Sequence, residues 1–546
     1  MLKIPPSAWR GIQSSFRVIT KEMGTAMRNI KRFFINAFML TGVSLLMRIV
    51  SVGFNVYVSN RIGSEGMGLF SLITGVYGFA LTLATSGINL ALTRLISECM
   101  SRDDRQRAKR IMKYAAVYCL FFGGLAASLL WTLSEPIGRY LLDDMRTVLS
   151  LRIFAVSLPM MSLSSALNGY FTAVRRVYKN AVVGVLEQWC KIFLISFLLN
   201  LLMPRGVEYA CIALVLGGAL SEILSCLIMT MLWLYEKKHR LCLEKARSEQ
   251  LGSADEEVLY SILGISLPVA FSSYARSALL TIEHALIPKG LKKSGVSHSA
   301  SLAAYGKIQS MAFPIVLFPS AFLSSFSGLL IPELSECRER KNHRQITYIS
   351  SRVFQFTLIF SIGVAGIIVC FSKEISRAIY PREDIREYVS IFASLIPVMY
   401  LDSAVDAMLK GLGYQVYSMN VNIIDSSLSV ILVWLLLPRY GIGGYIFTLF
   451  VTEILNATLS VSKLLHATGL KVHIISWICA PMACIAGACC MTRIMREYTY
   501  FSSEILELVV CIILTGILYV CLLIMSYALP PDDIVWFKRI FARAEK

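Results

Sequence analysis

Phe154-Ala155-Val156-Ser157-Leu158-Pro159-Met160-Met161 is answered, 238 residues later, by Phe392-Ala393-Ser394-Leu395-Ile396-Pro397-Val398-Met399. The match continues at Leu163/Leu401, Ser165/Ser403 and Ala166/Ala404. At the same offset Ser97-Glu98-Cys99 lies over Ser335-Glu336-Cys337, Gly68 over Gly306, and Ile137 and Arg139 over Ile375 and Arg377. Glu187 falls over Asp425, so both copies keep an acid there. Further on the offset slips, and Pro204-Arg205 matches Pro438-Arg439 and Glu222-Ile223-Leu224 matches Glu453-Ile454-Leu455. Chance gives any one of these matches, but not all of them in order. The chain reads as a duplicated unit.

The composition says what the unit is. Of 546 residues, 56% are hydrophobic and only 16% charged, with a mean hydropathy of +0.63. A soluble protein carries about 25% charge. The apolar residues come in long blocks, which excludes a soluble enzyme, a disulfide scaffold and a disordered chain. They predict an all-α polytopic membrane protein. Fourteen candidate spans lie near 33–57, 67–93, 111–133, 148–173, 180–203, 210–235, 258–283, 301–330, 347–371, 388–411, 418–437, 441–465, 474–492 and 504–528. Pro159, Pro314 and Pro319 interrupt the fourth and eighth.

The repeat then divides the chain. Residues 1–32 form a basic N-terminal segment, 33–235 a first six-helix bundle, and 236–257 a linker. Residues 258–465 form a second six-helix bundle, 466–528 two appended helices, and 529–546 a tail. Six is even, so the halves share one orientation and are related by an axis along the membrane normal. A cavity between two such bundles suits alternating access.

Lys plus Arg number 53 against 35 Asp plus Glu, a formal charge of +18. The predicted inside segments carry more than twice the Lys and Arg of the outside loops. This places both termini in the cytoplasm of a multi-pass cell-membrane protein. The excess charge is therefore topological, and no nucleic-acid-binding motif accompanies it. The N-terminal segment has seven basic residues but no apolar core, so it reads as a cytoplasmic tail and not a signal peptide. None of the 14 cysteines falls in a predicted outside loop, and the spacing of Cys479, Cys484, Cys489 and Cys490 fits no zinc pattern. No metal or cofactor is expected.

Each ionisable residue inside a span costs ~2.5–3.5 kcal/mol on insertion scales and needs a reason. The acids are Glu187, Glu222, Glu283, Asp402, Asp406, Asp425 and Glu453. Glu187 with Lys191, and Asp406 with Lys410, are i,i+4 and read as pairs on one helix. Arg48 and Arg276 each sit in the first helix of a half with no acid one turn away. With Lys307 they are candidates to hold an anion such as phosphate. Arg94, at the end of the second span, joins this substrate-binding set, although it also suits snorkelling to the interface. Asp402, Asp406, Asp425 and Glu187 are candidates for ion coupling. There is no P-loop, H-E-x-x-H or G-x-S-x-G, so no enzyme is expected.

Leu46-Met47-Arg48-Ile49-Val50-Ser51-Val52-Gly53-Phe54, with Asn60-Arg61-Ile62-Gly63-Ser64-Glu65-Gly66-Met67-Gly68, resembles the start of the stage V sporulation protein B family. Gly87-Ile88-Asn89-Leu90-Ala91-Leu92-Thr93-Arg94 and Ile331-Pro332-Glu333-Leu334-Ser335-Glu336 extend the resemblance. These are oligosaccharide flippase-like proteins of the superfamily that includes multidrug exporters and the lipid II flippases. The resemblance implies a two-bundle, fourteen-helix exporter. It also implies movement of a polyprenyl-diphosphate-linked oligosaccharide, of the peptidoglycan or polysaccharide-precursor kind, between leaflets. Membrane lipid would be a further partner and the chain a monomer. Arg48 matches the first of the family's cavity arginines, whereas Phe54 and Asn55 occupy the region of the second. The appended helices would form a groove for the prenyl tail. Two alternatives stay open. A Na⁺- or H⁺-coupled drug antiporter of the same superfamily would use the embedded acids. A membrane glycosyltransferase would need a large outside loop, and none exceeds about 20 residues by the site checklist.

Overall fold

The computed structural model describes residues 6–85, 87–101, 104–237, 253–498 and 503–526. Most of the expected linker 236–257 and all of the tail 529–546 lie outside them. Every described element is helical. In lipid the backbone N–H and C=O groups must be satisfied within the segment, and the chain's apolar blocks do this as helices. The helices are α1 (Pro6–Thr85), α2 (Ile88–Ser101), α3 (Arg105–Pro136), α4 (Thr147–Ala173), α5 (Val177–Leu202) and α6 (Val207–Glu236) in the first half. The second half has α7 (Ser253–Lys293), α8 (His298–Gly306), α9 (Phe313–Leu317), α10 (Ser320–Glu339), α11 (His343–Cys370) and α12 (Ser372–Ile379). It continues with α13 (Arg386–Ala393), α14 (Ile396–Gly411) and α15 (Gln415–Thr468). The appended pair is α16 (Ala480–Tyr498) and α17 (Glu504–Met525).

By length and apolarity ten described helices can cross a membrane, or eleven if α13 and α14, bent by 51°, form one span. This is fewer than the fourteen expected, and the differences have local causes. Two of the ten contain a glycine where the helix breaks: Gly63 (φ 79°, ψ 176°) and Gly441 (φ 56°, ψ −137°). Each break folds its helix into a hairpin. Asn55 Nδ2 donates to the Ser310 carbonyl (2.9 Å), and Ser71 Oγ lies 2.5 Å from Ser310 Oγ. In a straight helix Asn55 and Ser71 would be ~24 Å apart. Likewise Tyr417 donates to the Leu459 carbonyl (3.2 Å), a separation of ~63 Å along a straight helix. The eighth span has a different cause. A π-helical turn at Lys307–Ala312 and prolines 314 and 319 divide it into α8, α9 and α10, none of which crosses by itself.

The duplication is visible as a contact. A Cβ on Gly68 would stand 2.0 Å from the Leu302 carbonyl oxygen, and one on Gly306 would stand 2.1 Å from the Ser64 oxygen and 2.6 Å from Gly68 N. Gly68 and Gly306 are repeat partners. Partners can touch only where the internal two-fold axis passes between them, so the axis runs through this glycine pair. Away from it, α7 runs along the second limb of α1, with Thr281 and Tyr274 donating to the Gly75 and Leu83 carbonyls (3.0 and 3.2 Å). The outer surface carries large apolar side chains such as Phe193 (70% exposed) and Phe271 (77%). Such exposure is untenable in water and ordinary in lipid.

Gly68→Ala and Gly306→Ala each drive a methyl into backbone. Thermal unfolding in detergent is expected to show a loss of order ~1–3 kcal/mol for either. Gly78→Ala, which meets nothing within 4 Å, is expected to leave the midpoint unchanged or raised.

Candidate transport site between the two halves

Beneath the glycine contact lies a cavity of about 540 Å³. Its walls come from both halves: Arg48 and Asn55 on the first limb of α1, Glu283 and His284 on α7, and Asp425 and Glu453 on the two limbs of α15. Arg48 is fifteen residues from the Gly63 turn, or ~22 Å along the helix axis. It therefore sits deep in the membrane, measured from the end that the loop charges predict to be outside. Among the described residues it has no ion-pair partner.

The three acids are equally unmatched. None of Glu283, Asp425 and Glu453 has a cationic partner within 4 Å among the described residues. Asp425 Oδ1 is buried without a hydrogen bond. His284 lies beside these acids in the same wall, its Nδ1 engaged with the Tyr305 hydroxyl. Carboxylates so placed are costly in an apolar interior, which makes them candidates to take up a proton or a cation. The first half treats its equivalents differently. Glu222, the repeat partner of Glu453, accepts a hydrogen bond from Tyr77 (2.7 Å), which also meets Ser157 (3.1 Å).

The structure distributes the expected cations unevenly. Only Arg48 lines the cavity. Arg276 is exposed on α7, two turns before Glu283, within Coulombic range of Asp402 and Asp425. Lys307 is held by Glu383 at 3.0 Å, and Arg94 by Glu98 at 3.2 Å on an exposed face. Acids therefore outnumber bases in the cavity, contrary to the cationic site expected. Of the coupling candidates, Asp425 faces the cavity. Asp402 accepts from Asn456 Nδ2 (3.4 Å), and its Oδ1 is buried without a partner. Asp406 binds Lys410 (2.5 Å), as the i,i+4 spacing predicts, and also accepts from Ser418 Oγ. Glu187 makes no ion pair with Lys191 among the described residues; Lys191 is instead within Coulombic range of Glu222. Glu283 and Glu453 are visible in the sequence as embedded acids, but their convergence on Asp425 depends on the α15 hairpin.

An ion-pair network closes the cavity at the end that the loop charges predict to be outside, here called the outer end. From the first half, Asp144 binds Arg146 (2.7 Å) and lies 3.1 Å from His298 of the second half. Arg146 also reaches Glu65 (3.1 Å), and Asp143 binds Lys292 across the interface (2.5 Å). From the second half, Glu383 accepts from Ser64 N (3.1 Å), and Asn60 donates to the Ile379 carbonyl (2.8 Å). Burial raises the Asp144 carboxyl, but hydrogen bonds from Arg146 and His298 outweigh it and hold the group below the usual carboxylate range. Glu383 is depressed in the same way, with burial opposed by Ser64 and Lys307.

The profile of the family described as polysaccharide biosynthesis protein matches residues 33–338, more than half of the chain. The chain belongs to the polysaccharide biosynthesis protein family. The MatE profile matches residues 294–435, in the second half. Stage V sporulation protein B of Bacillus subtilis (strain 168) is 22% identical over 498 residues, covering 91% of this chain and 95% of the relative. Lipid II flippase MurJ of the same organism is 22% identical over 353 residues, 60% of this chain and 63% of the relative. Among solved structures, lipid II flippase MurJ in its inward closed conformation aligns with a TM-score of 0.66 at 14% identity, covering 91% of this chain and 100% of that one. The inward-facing form of a multidrug resistance MATE family transporter aligns with a TM-score of 0.62, also at 14% identity, covering 79% and 98%. The chain is thus a multi-pass membrane protein of the MOP superfamily.

The depressed carboxylates give the outer closure a definite pH sign. Their contribution is fully present above the ordinary carboxylate range and is lost as pH falls through the lower folded-state values. Asp144→Asn removes it at neutral pH. A cysteine placed at Ser71 is then expected to react several-fold faster with an impermeant maleimide at neutral pH than the same cysteine with Asp144 intact.

Proposed function

We propose that this protein is a flippase. It carries a polyprenyl-diphosphate-linked oligosaccharide, a precursor of peptidoglycan or surface polysaccharide, across the cell membrane by alternating access. The observation that carries this reading is Arg48: an embedded cation facing an inter-half cavity, with no acid within 4 Å of it among the described residues. A guanidinium there holds a diphosphate bidentately. Arg276 takes a supporting position on α7, while Lys307 and Arg94 serve the outer closure and a helix surface. The prenyl tail stays in lipid beside α16 and α17. The protein works as a monomer with both termini in the cytoplasm, and the relation to stage V sporulation protein B points to a role in sporulation.

No ATP-binding motif is present in the sequence, so net transport draws on an ion gradient. Asp425, with Glu283 and Glu453, is the coupling site, and Asp402 lies next to it. The same three acids favour a second reading, a cation-coupled drug antiporter, in which Arg48 would be incidental. The two readings separate in proteoliposomes. With a fluorescent undecaprenyl-diphosphate oligosaccharide, Arg48→Ala is expected to cut translocation roughly tenfold or more, the loss of one charge-assisted contact. Arg48→Lys is expected to retain part of the activity, and Asp425→Asn to abolish its dependence on the cation gradient. Full lipid translocation by Arg48→Ala, with extrusion of a cationic dye that needs Asp425, establishes the antiporter instead.

A further inference from the structure

A second cavity, of about 670 Å³, lies between α11 and the start of the appended pair, well away from the transport site. Its polar wall holds His343, Arg344 and Arg352 from α11 and His473 from the approach to α16, backed by Tyr348 and Trp477. No carboxylate lines it. Both contributing segments begin at the end of the bundle that the loop charges assign to the cytoplasm, where basic pockets between helices suit lipid headgroups.

The pocket is built. The Arg352 guanidinium stacks over the Tyr348 ring at 5.4 Å. The His473 ring meets Trp477 edge-on at 5.6 Å, and buried Trp477 packs against Phe354 at 6.0 Å. Ile475–Cys479 form a π-helical turn at this point, an irregularity that recurs at functional sites. Arg344 is exposed and has no acid within 4 Å among the described residues. The α11 N-terminus, capped by Asn342, adds its dipole to the same side.

Immediately beside this polar wall, Ile474 and Ile475 are 62% and 80% exposed. A soluble anion has no use for them, whereas a lipid would lay acyl chains there while its phosphate met the arginines. We propose that this pocket is a binding site for the phosphodiester headgroup of an anionic phospholipid in the cytoplasmic leaflet. Its occupant ties α11 of the second bundle to the appended helices. The site is independent of the flippase reading, since Arg48 is not part of it.

The test is native mass spectrometry of the full chain extracted from vesicles of phosphatidylcholine with phosphatidylglycerol or cardiolipin. Wild type is expected to retain the anionic lipid and to release phosphatidylcholine. Arg344→Gln alone, and with Arg352→Gln, is expected to lower retention, the double variant by roughly tenfold or more. Arg48→Ala is expected to retain the lipid as wild type does, whatever its transport activity. Because Arg344 is exposed, its single variant keeps the test valid if the double variant misfolds. Equal retention by wild type and both variants overturns the proposal. Displacement by millimolar inorganic phosphate would make this a soluble-anion site and overturn the lipid assignment. Displacement by undecaprenyl diphosphate, lost in the same variants, would make it a loading site for the transported lipid and overturn it equally.

Discussion

The close approach of Gly68 to Gly306 is the constraint on which the rest of the molecule turns. Any side chain there would separate the second limb of α1 from α8, because a Cβ on either residue would lie within 2.1 Å of a facing carbonyl oxygen. Without side chains the two halves meet backbone to backbone on their internal axis. That contact brings Glu383 to Ser64 and His298 to Asp144, so the outer closure is an extension of it. It also sets the roof of the cavity. The glycines do by absence what the ion pairs do by attraction. Only the ion pairs can be switched off by protonation.

The two halves began as copies, and the cavity shows where they diverged. In the first half Glu222 is satisfied by Tyr77, and Lys191 lies within Coulombic range of it. In the second half Glu453, Asp425 and Glu283 surround open volume without a counter-ion within 4 Å among the described residues. A buried acid that the protein has already neutralised is structure. One that it has left without a counter-ion is a candidate place for a proton or a cation, whose occupancy would bear on whatever shares the cavity.

Much of this was legible in the sequence, and the part that was not has a common physical cause. Long apolar blocks gave the helical membrane class, and the ordered matches at one offset gave the duplication, including the pairing of Gly68 with Gly306. Arg48 stood out because no acid lies one turn away. What one-dimensional spacing cannot show is which residues a hairpin superimposes. Asp425 and Glu453 are 28 positions apart and share a cavity because the chain reverses at Gly441. Lys307 looked like a free cation because Glu383, its partner, lies on a distant loop. The i,i+4 rule succeeded for Asp406 and Lys410 and failed for Glu187 and Lys191. Helical spacing permits a pair, but tertiary neighbours decide whether it forms.

The charge balance of the cavity decides what kind of coupling it can support. Under the flippase reading a diphosphate enters a space that already contains three acids and one arginine. Two like charges ~10 Å apart repel by about 1.7 kcal/mol at an effective dielectric constant of ~20. Several such pairs would offset much of what Arg48 contributes. The anion is therefore held well only when the acids carry protons or a bound cation, and by linkage the anion must tighten the hold on that cation to the same degree. Under the antiporter reading the sign reverses, because a cationic substrate competes with the coupling ion for the same carboxylates. The transported charge and the coupling ion thus help each other in one case and exclude each other in the other. Under the flippase reading the acids therefore do not argue against an anionic substrate but give it a way to be released: without the cation, the cavity itself would repel the headgroup.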